Sequence, residues 1–288
     1  MAYTKRRRER RGKCNICGKV YDLTYDHVPP KFWYNSEKIE YKEVFCDAMD
    51  TEKKFEISQN GIKFRSICSD CNNRILGRNY DIELKKWIED IKKYMLSDSI
   101  NNSEKIVCEV KVNKIARAIA GHLLAAKNIY EEENKIDIEL REFVLDESKS
   151  SPHNMLLLFR PYIFSTILLI RDIVVTRVLA KKPPLPKGVI SCLSSFPLAF
   201  VLVKDGDEKC GLDDLFSFCT NNIEESVKLP VNMNSLYFEG TDILRPMLWP
   251  CNVSDGFNGT DFILYGEAEK DSTISFRTNE QFKKYIMK

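Results

Sequence analysis

Two Cys-x-x-Cys pairs, Cys14–Cys17 in CNIC and Cys68–Cys71 in CSDC, frame a 50-residue interval of this chain. Each spacing lets a tight turn aim two thiolates at one ion, and two such pairs complete a closed tetrahedral zinc site. Gly18 follows the first pair directly, where a turn needs a residue that tolerates positive φ. The interval is longer than a compact zinc ribbon needs. An element is therefore inserted between the knuckles, and the fold must return its far end to the first pair.

The thiols read as ligands because the compartment reads as reducing. Met1 is followed by polar and basic residues with no apolar stretch of a secretory leader, so a cytoplasmic location is expected. In such a compartment paired cysteines are metal ligands sooner than disulfides. Cys46, Cys108, Cys192, Cys210, Cys219 and Cys251 lack paired spacing and read as buried small hydrophobes or free thiols. The most apolar run, residues 163–180, is interrupted by Arg171, Asp172 and Arg177, too short and too charged to span a bilayer. No membrane partner is expected.

An apolar fraction of 43% with 30% charged residues is that of a folded globular protein. The net charge of +2 conceals an asymmetry: residues 1–100 carry 21 Lys/Arg against 16 Asp/Glu, and the remainder 23 against 26. The basic excess accompanies the cysteines and is densest in KRRRERRGK at 5–13. Such an arm either binds nucleic-acid phosphates through counterion release or is a solvated terminus, and both readings stand equally open.

Between the knuckles, VYDLTYDHV at 20–28 has strand composition and stops at Pro29-Pro30. KFEISQNGIKFRSIC at 54–68 predicts a β-hairpin turning at Asn60-Gly61 and delivering the chain to Cys68. A short helix is expected within SDCNNRIL, ending at Gly77 as a C-cap. Asp81 would then cap a second helix with Leu84, Trp87, Ile88, Ile91 and Met95 as its apolar stripe. Polar SDSINNSEK at 97–105 marks a boundary between residues 1–100 and residues 101–288. Beyond it come a strand in IVCEVKV, a helix in NKIARAIAGHLLAAKNIY, and β-like runs in MLLLF, ILLI, DIVVTRV, LAFVLV, DFILY and TISF, with turn-like breaks at KKPPLPKG and KDGDEKCG. The fold class is α+β, a small zinc-stabilised module followed by a larger mixed α+β domain.

Asp26-His27 ends the first strand and Asn72 follows the last cysteine. Asp26 and the Asn72 carbonyl are hard oxygen donors of the kind Mg²⁺ or Mn²⁺ takes, with room left for water and phosphate. His27 beside them can accept a proton from water near neutral pH. Each of the three also has an ordinary explanation, as a surface pair before a turn or a helix cap. Their meeting around one zinc staple is what points to chemistry. Lys31, Lys63, Arg65, Arg74 and Arg78 are candidate phosphate contacts, with Arg74 and Arg78 preferred for their i, i+4 spacing. Phe32, Trp33 and Tyr34 read as packing, His122 as a satisfied buried histidine on an apolar helix, and His153 as a loop residue.

In order, C-x-x-C, L-T-x-D-H-V-P-P and C-x-x-C-N-x-x-x-x-G resemble the HNH (His-Me finger, ββα-metal) endonucleases. They are nearest to the zinc-stapled variant of endonuclease VII-type phage resolvases. The resemblance covers residues 10–80 and does not extend to 105–288. It implies that Cys14, Cys17, Cys68 and Cys71 hold structural Zn²⁺, and that Asp26 and Asn72 hold a catalytic Mg²⁺ or Mn²⁺. His27 would be the general base against a phosphodiester, DNA being the expected substrate. Two departures stand out. The family's middle Asn has no clear counterpart, Asn60 being accounted for by its turn and Asn35 being the other candidate; and residues 36–60 exceed the minimal motif.

By analogy of architecture, such heads serve bacterial restriction and anti-phage defence. The second domain would then bind a regulatory protein partner or form a homo-oligomer. The rival readings are a non-catalytic nucleic-acid-binding module and a protein-interaction zinc scaffold.

Overall fold

The computed structural model describes residues 8–35, 39–43, 56–95, 105–127, 129–162, 166–171, 189–205, 212–233 and 263–268. The fold is mixed α+β. Strands β1 (Arg11–Lys13) and β2 (Val20–His27) form an antiparallel pair. Then β3 (Ile39–Glu43) and β4 (Glu56–Ser58) pair with each other, and β5 (Lys63–Cys68) returns alongside β2. The first sheet therefore has the order β1-β2-β5, and β2 stops where Pro29-Pro30 was expected to stop it.

The predicted hairpin over 54–68 does not close. β4 belongs to a different sheet from β5, because the backbone of Ile62 is already taken. Its N–H donates to Asn35 Oδ1 at 2.6 Å, while its carbonyl accepts from Asn35 Nδ2 at 3.0 Å and from the Val28 N–H at 3.2 Å. No ladder group remains there for β4.

From Cys71 the chain enters a π-helix, Cys71–Tyr80, which runs directly into α1 (Asp81–Met95). The expected break at Gly77 is absent. Asp81 has helical φ and ψ (−64°, −25°), and its N–H bonds the Leu76 carbonyl five residues back. The stripe of α1 is as predicted, with Leu84, Trp87, Ile88, Ile91 and Met95 all buried.

After β6 (Lys105–Val110) comes α2 (Val112–Ala125), every residue of which is buried. A helix enclosed on all sides belongs to the centre of a core rather than to its surface. Next, α3 (Lys135–Leu145) starts at Asn134, whose side chain accepts from the N–H groups of Ile136 and Asp137. Strands β7 (Met155–Pro161), β8 (Thr166–Ile170), β9 (Val189–Ser195), β10 (Leu198–Lys204), β11 (Asp213–Asp214) and β13 (Ile263–Ala268) join β3 and β4. They form an eight-stranded sheet of order β11-β7-β10-β9-β8-β13-β3-β4, while β12 (Val227–Asn232) pairs with β6. The runs at 172–178 and 273–276, the break at 181–188, most of that at 204–211 and of the boundary at 97–105, and the first residues of the basic arm lie outside the described residues.

Buried apolar side chains form one cluster from Cys14 to Met233. Its aromatic centre is Phe200 of β10, met edge-on by Trp33 at 5.6 Å and by Trp87 at 5.9 Å, with Phe159 also against Trp87. Trp33 Nε1 donates to the Ser195 carbonyl, so packing is the role of the aromatic trio's central member. Residues on both sides of the expected boundary share this core.

Candidate metal centre and active site

The four predicted cysteines converge. One sulfur from each of Cys14, Cys17, Cys68 and Cys71 lies within 4.8 Å of the others, and the set could hold a metal ion such as zinc. Gly18 takes φ +70° as its turn requires, and a Cβ there would also meet the Tyr130 hydroxyl. The Cys68 N–H donates to Cys14 Sγ at 3.3 Å. A hydrogen bond from the Cys71 thiol holds Cys14 down to about 5, while burial pushes Cys17 up to about 11, and the Cys14 hydrogen bond drives Cys71 upward. Bound zinc favours the thiolate form of its cysteine ligands, so it would oppose the upward shifts of Cys17 and Cys71. Cys108, Cys192 and Cys219 are free thiols, and Cys46, Cys210 and Cys251 lie outside the described residues.

The knuckles fix β2 against β5 and the π-helix against both. In the β2–β5 ladder Asp26 faces Phe64 and His27 faces Lys63, with a register shift between Thr24 and Tyr25. Asn72 sits at the second position of the π-helix. Its Nδ2 donates to Thr24 Oγ1 at 3.0 Å and to the Tyr25 carbonyl at 3.1 Å. Both bonds run from Nδ2 to β2, and no hydrogen bond to the Asn72 side-chain oxygen is found among the described residues. An amide oxygen is a hard donor of the kind a divalent cation takes.

His27 is half-buried and its Nε2 lies 3.0 Å from the Asn60 carbonyl. A carbonyl can only accept, so Nε2 carries the proton and Nδ1 keeps a lone pair. Burial, with Lys63 and Lys31 adding to it, holds His27 below its ordinary 6.5 despite the Asn60 carbonyl and Asp26. The ring is neutral at pH 7 and able to accept a proton. Asn35 secures this arrangement: fully buried, it bonds Pro29 and both backbone groups of Ile62, clamping the loop after β2 to the turn that carries Asn60. Of the two asparagines weighed for the middle position, Asn35 makes the tether and Asn60 contributes only a backbone carbonyl.

His122 is buried, as expected, yet its partners are the site itself. From α2, its Nδ1 donates to Asp26 Oδ2 at 3.1 Å and its Nε2 to Asp81 Oδ1 at 2.9 Å. Asp81 therefore serves not as a cap but as the outer end of an Asp–His–Asp chain. Burial alone would strip the ring's proton, but Asp81 and Asp26 raise its pKa to about 10. Nothing in local spacing links residue 122 to Asp26. The one hint is the neighbouring Gly121, where a Cβ would collide with Leu76.

The basic candidates divide. Arg65 stacks over the Tyr25 ring at 4.4 Å, a pairing across the ladder that leaves Tyr25 exposed. Lys31 and Arg78 are exposed and Lys63 is half-buried. Arg74, one of the preferred pair, is held by both oxygens of Asp70 at 2.6 and 2.8 Å, so its charge is locally balanced. Tyr25 was not foreseen; a tyrosine facing an arginine becomes visible only once the register is known. Comparison with protein-family models, curated proteins and solved structures gives no match. The site stands on its own geometry.

Proposed function

We propose that the protein is a metal-dependent endonuclease, with DNA as its substrate and His27 as general base. One observation carries this reading: a neutral histidine whose Nδ1 has no hydrogen-bond partner among the described residues ends a strand immediately after Asp26, while the Asn72 amide bonds that same strand twice.

Mg²⁺ or Mn²⁺ between the Asp26 carboxylate and the Asn72 carbonyl would neutralise charge developing on the phosphate and on the leaving 3′-oxygen. His27 Nδ1 takes a proton from water as the water oxygen bonds to phosphorus. The phosphorus–O3′ bond breaks and the leaving O3′ takes a proton from solvent, giving a 5′-phosphate and a 3′-hydroxyl. The Asn60 carbonyl, accepting from Nε2–H, steadies the imidazolium that forms. Arg65 on Tyr25, with Lys63, Lys31 and Arg78, offers the strand a cationic and aromatic approach. Arg74 joins them only by exchanging Asp70 for phosphate, a small cost for an exposed ion pair.

The test is nicking of supercoiled plasmid by zinc-loaded protein in Mg²⁺, Mn²⁺ or EDTA, beside His27→Ala of equal zinc content. Cutting that needs the metal and falls by about 10²–10⁴-fold in the variant supports the reading. Salt-sensitive DNA binding by both proteins with no cutting by either would replace it with a non-catalytic binding module.

A further inference from the structure

Helix α2 is apolar and wholly enclosed, yet it carries an imidazole directed at the candidate site. Burying a charged ring is costly unless each of its protons finds a partner. Here both do, and the partners lie on opposite sides of the ring: Asp26 on β2 and Asp81 at the start of α1. This opposition excludes His122 as a ligand sharing a cation with both carboxylates, since each nitrogen already faces one of them.

Asp26 gains most from the arrangement. It is the penultimate residue of β2, and its chain neighbour His27 is fixed separately through Asn60. Its Oδ2 is occupied by His122, and no hydrogen bond to Oδ1 is found among the described residues. A carboxylate held by one oxygen presents the other in a fixed direction. The backbone makes this reach possible, because Gly121 lets α2 lie directly against Leu76 of the π-helix that bears Asn72. The C-terminal carbonyls of α2 are anchored by the zinc knuckle and by β5. Asn15 Nδ2 donates to the carbonyls of Leu124 and Lys127, and Ser66 Oγ to that of Ala125.

We propose that His122, itself anchored by Asp81, is the positioning residue that fixes the Asp26 carboxylate to receive a divalent cation. The inference rests on the nuclease reading and extends it to a helix 96 residues away in sequence. Outer partners of metal-binding carboxylates typically govern about 10–100-fold in metal affinity.

The experiment uses the full-length, zinc-loaded protein and follows Mn²⁺ binding by electron paramagnetic resonance alongside plasmid nicking. His122→Asn keeps an amide donor near the Nδ1 position, whereas His122→Gln keeps one near Nε2 and withdraws the donor from Asp26. The glutamine variant is expected to weaken Mn²⁺ binding about 10–100-fold. Its half-saturating Mn²⁺ for cutting should rise in parallel, with KM for DNA unchanged and zinc content intact. The asparagine variant, which keeps the donor to Asp26 but gives up the Asp81 anchor, should bind Mn²⁺ more tightly than the glutamine variant; the reverse order would overturn the positioning role. Wild-type Mn²⁺ affinity in His122→Gln, while Asp26→Ala abolishes binding, would overturn the positioning role and leave the nuclease reading standing. Equal loss in both His122 variants with loss of zinc would make the residue a structural strut and also overturn it. A wild-type protein that neither binds Mn²⁺ nor cuts would remove both readings together.

Discussion

Asn35 shows how one side chain can decide the state of another it does not touch. Its amide satisfies both backbone groups of Ile62 and so fixes the turn whose carbonyl, at Asn60, selects the His27 tautomer. Asn35→Ala leaves the Ile62 N–H buried and without this partner, at about 1–3 kcal/mol. A lower midpoint in thermal unfolding, with a nicking rate reduced at saturating metal, is the expected result. Unchanged stability would mean that the turn holds itself. Sequence reasoning singled out residues by short spacing, the cysteines by their pairs, Asp26 and His27 by adjacency, Asn72 by its place after Cys71, and of these the structure brings the four cysteines together. His122 escaped because a histidine on an apolar helix is usually only satisfied, and its partner lay 96 residues back. Arg171 was read simply as an interruption of an apolar run. It is in fact one of the cations around the buried carboxylate of Asp137, at 2.8 Å.

At the scale of elements, the junction of α2 with the π-helix sets where the site's side chains meet. Gly121→Ala would drive a methyl group into Leu76, and overpacking of this kind costs about 1–3 kcal/mol. Urea unfolding of the zinc-loaded variant should show that loss as a lower midpoint, and an unchanged midpoint would mean that Leu76 yields to the methyl group. The same elements explain the two misplaced boundaries. Gly77 resembled a C-cap, but its φ is not positive and the helix passes through it in a wider turn. Asn60-Gly61 resembled a type I′ hairpin turn, which needs positive φ at both central residues, whereas only Gly61 has it. Local propensity was outvoted at the turn by the tertiary hydrogen bonds of Ile62, and at Gly77 by the helical ladder itself, which continues to the Asp81 N–H bonding Leu76.

At the scale of the whole molecule, buried charge ties α2 and α3 to the eight-stranded sheet. Asp137 of α3 accepts from Lys127, just past α2, and from Arg171, at the end of β8, with Arg141 at 3.6 Å. Burial alone would raise its pKa, but Arg171 and Lys127 hold it below its ordinary 3.8. The stability it contributes is thus fully present above pH 3.8 and is lost as pH falls through the lower folded value. Asp137→Asn strands buried cations, and removing one partner of such a group costs about 3–5 kcal/mol at neutral pH. The gap from wild type should narrow as acid unfolding is followed below pH 3.8. Chelation of zinc should act at a distance too: amide exchange is expected to rise in residues 112–127 as well as at both knuckles, through Asn15 and Ser66. Exchange confined to the knuckles would refute that coupling.

The enclosure of α2 also bears on how portable the site is. A zinc-stapled strand pair and helix look like a unit that could be lifted out and grafted elsewhere. In this chain the lifted piece would carry Asp26 without His122 and would bare Leu76, against which α2 now packs at Gly121. Asp26, Asn72 and His122 belong to no contiguous stretch of sequence, so a transplant would have to carry residues 112–127 with it.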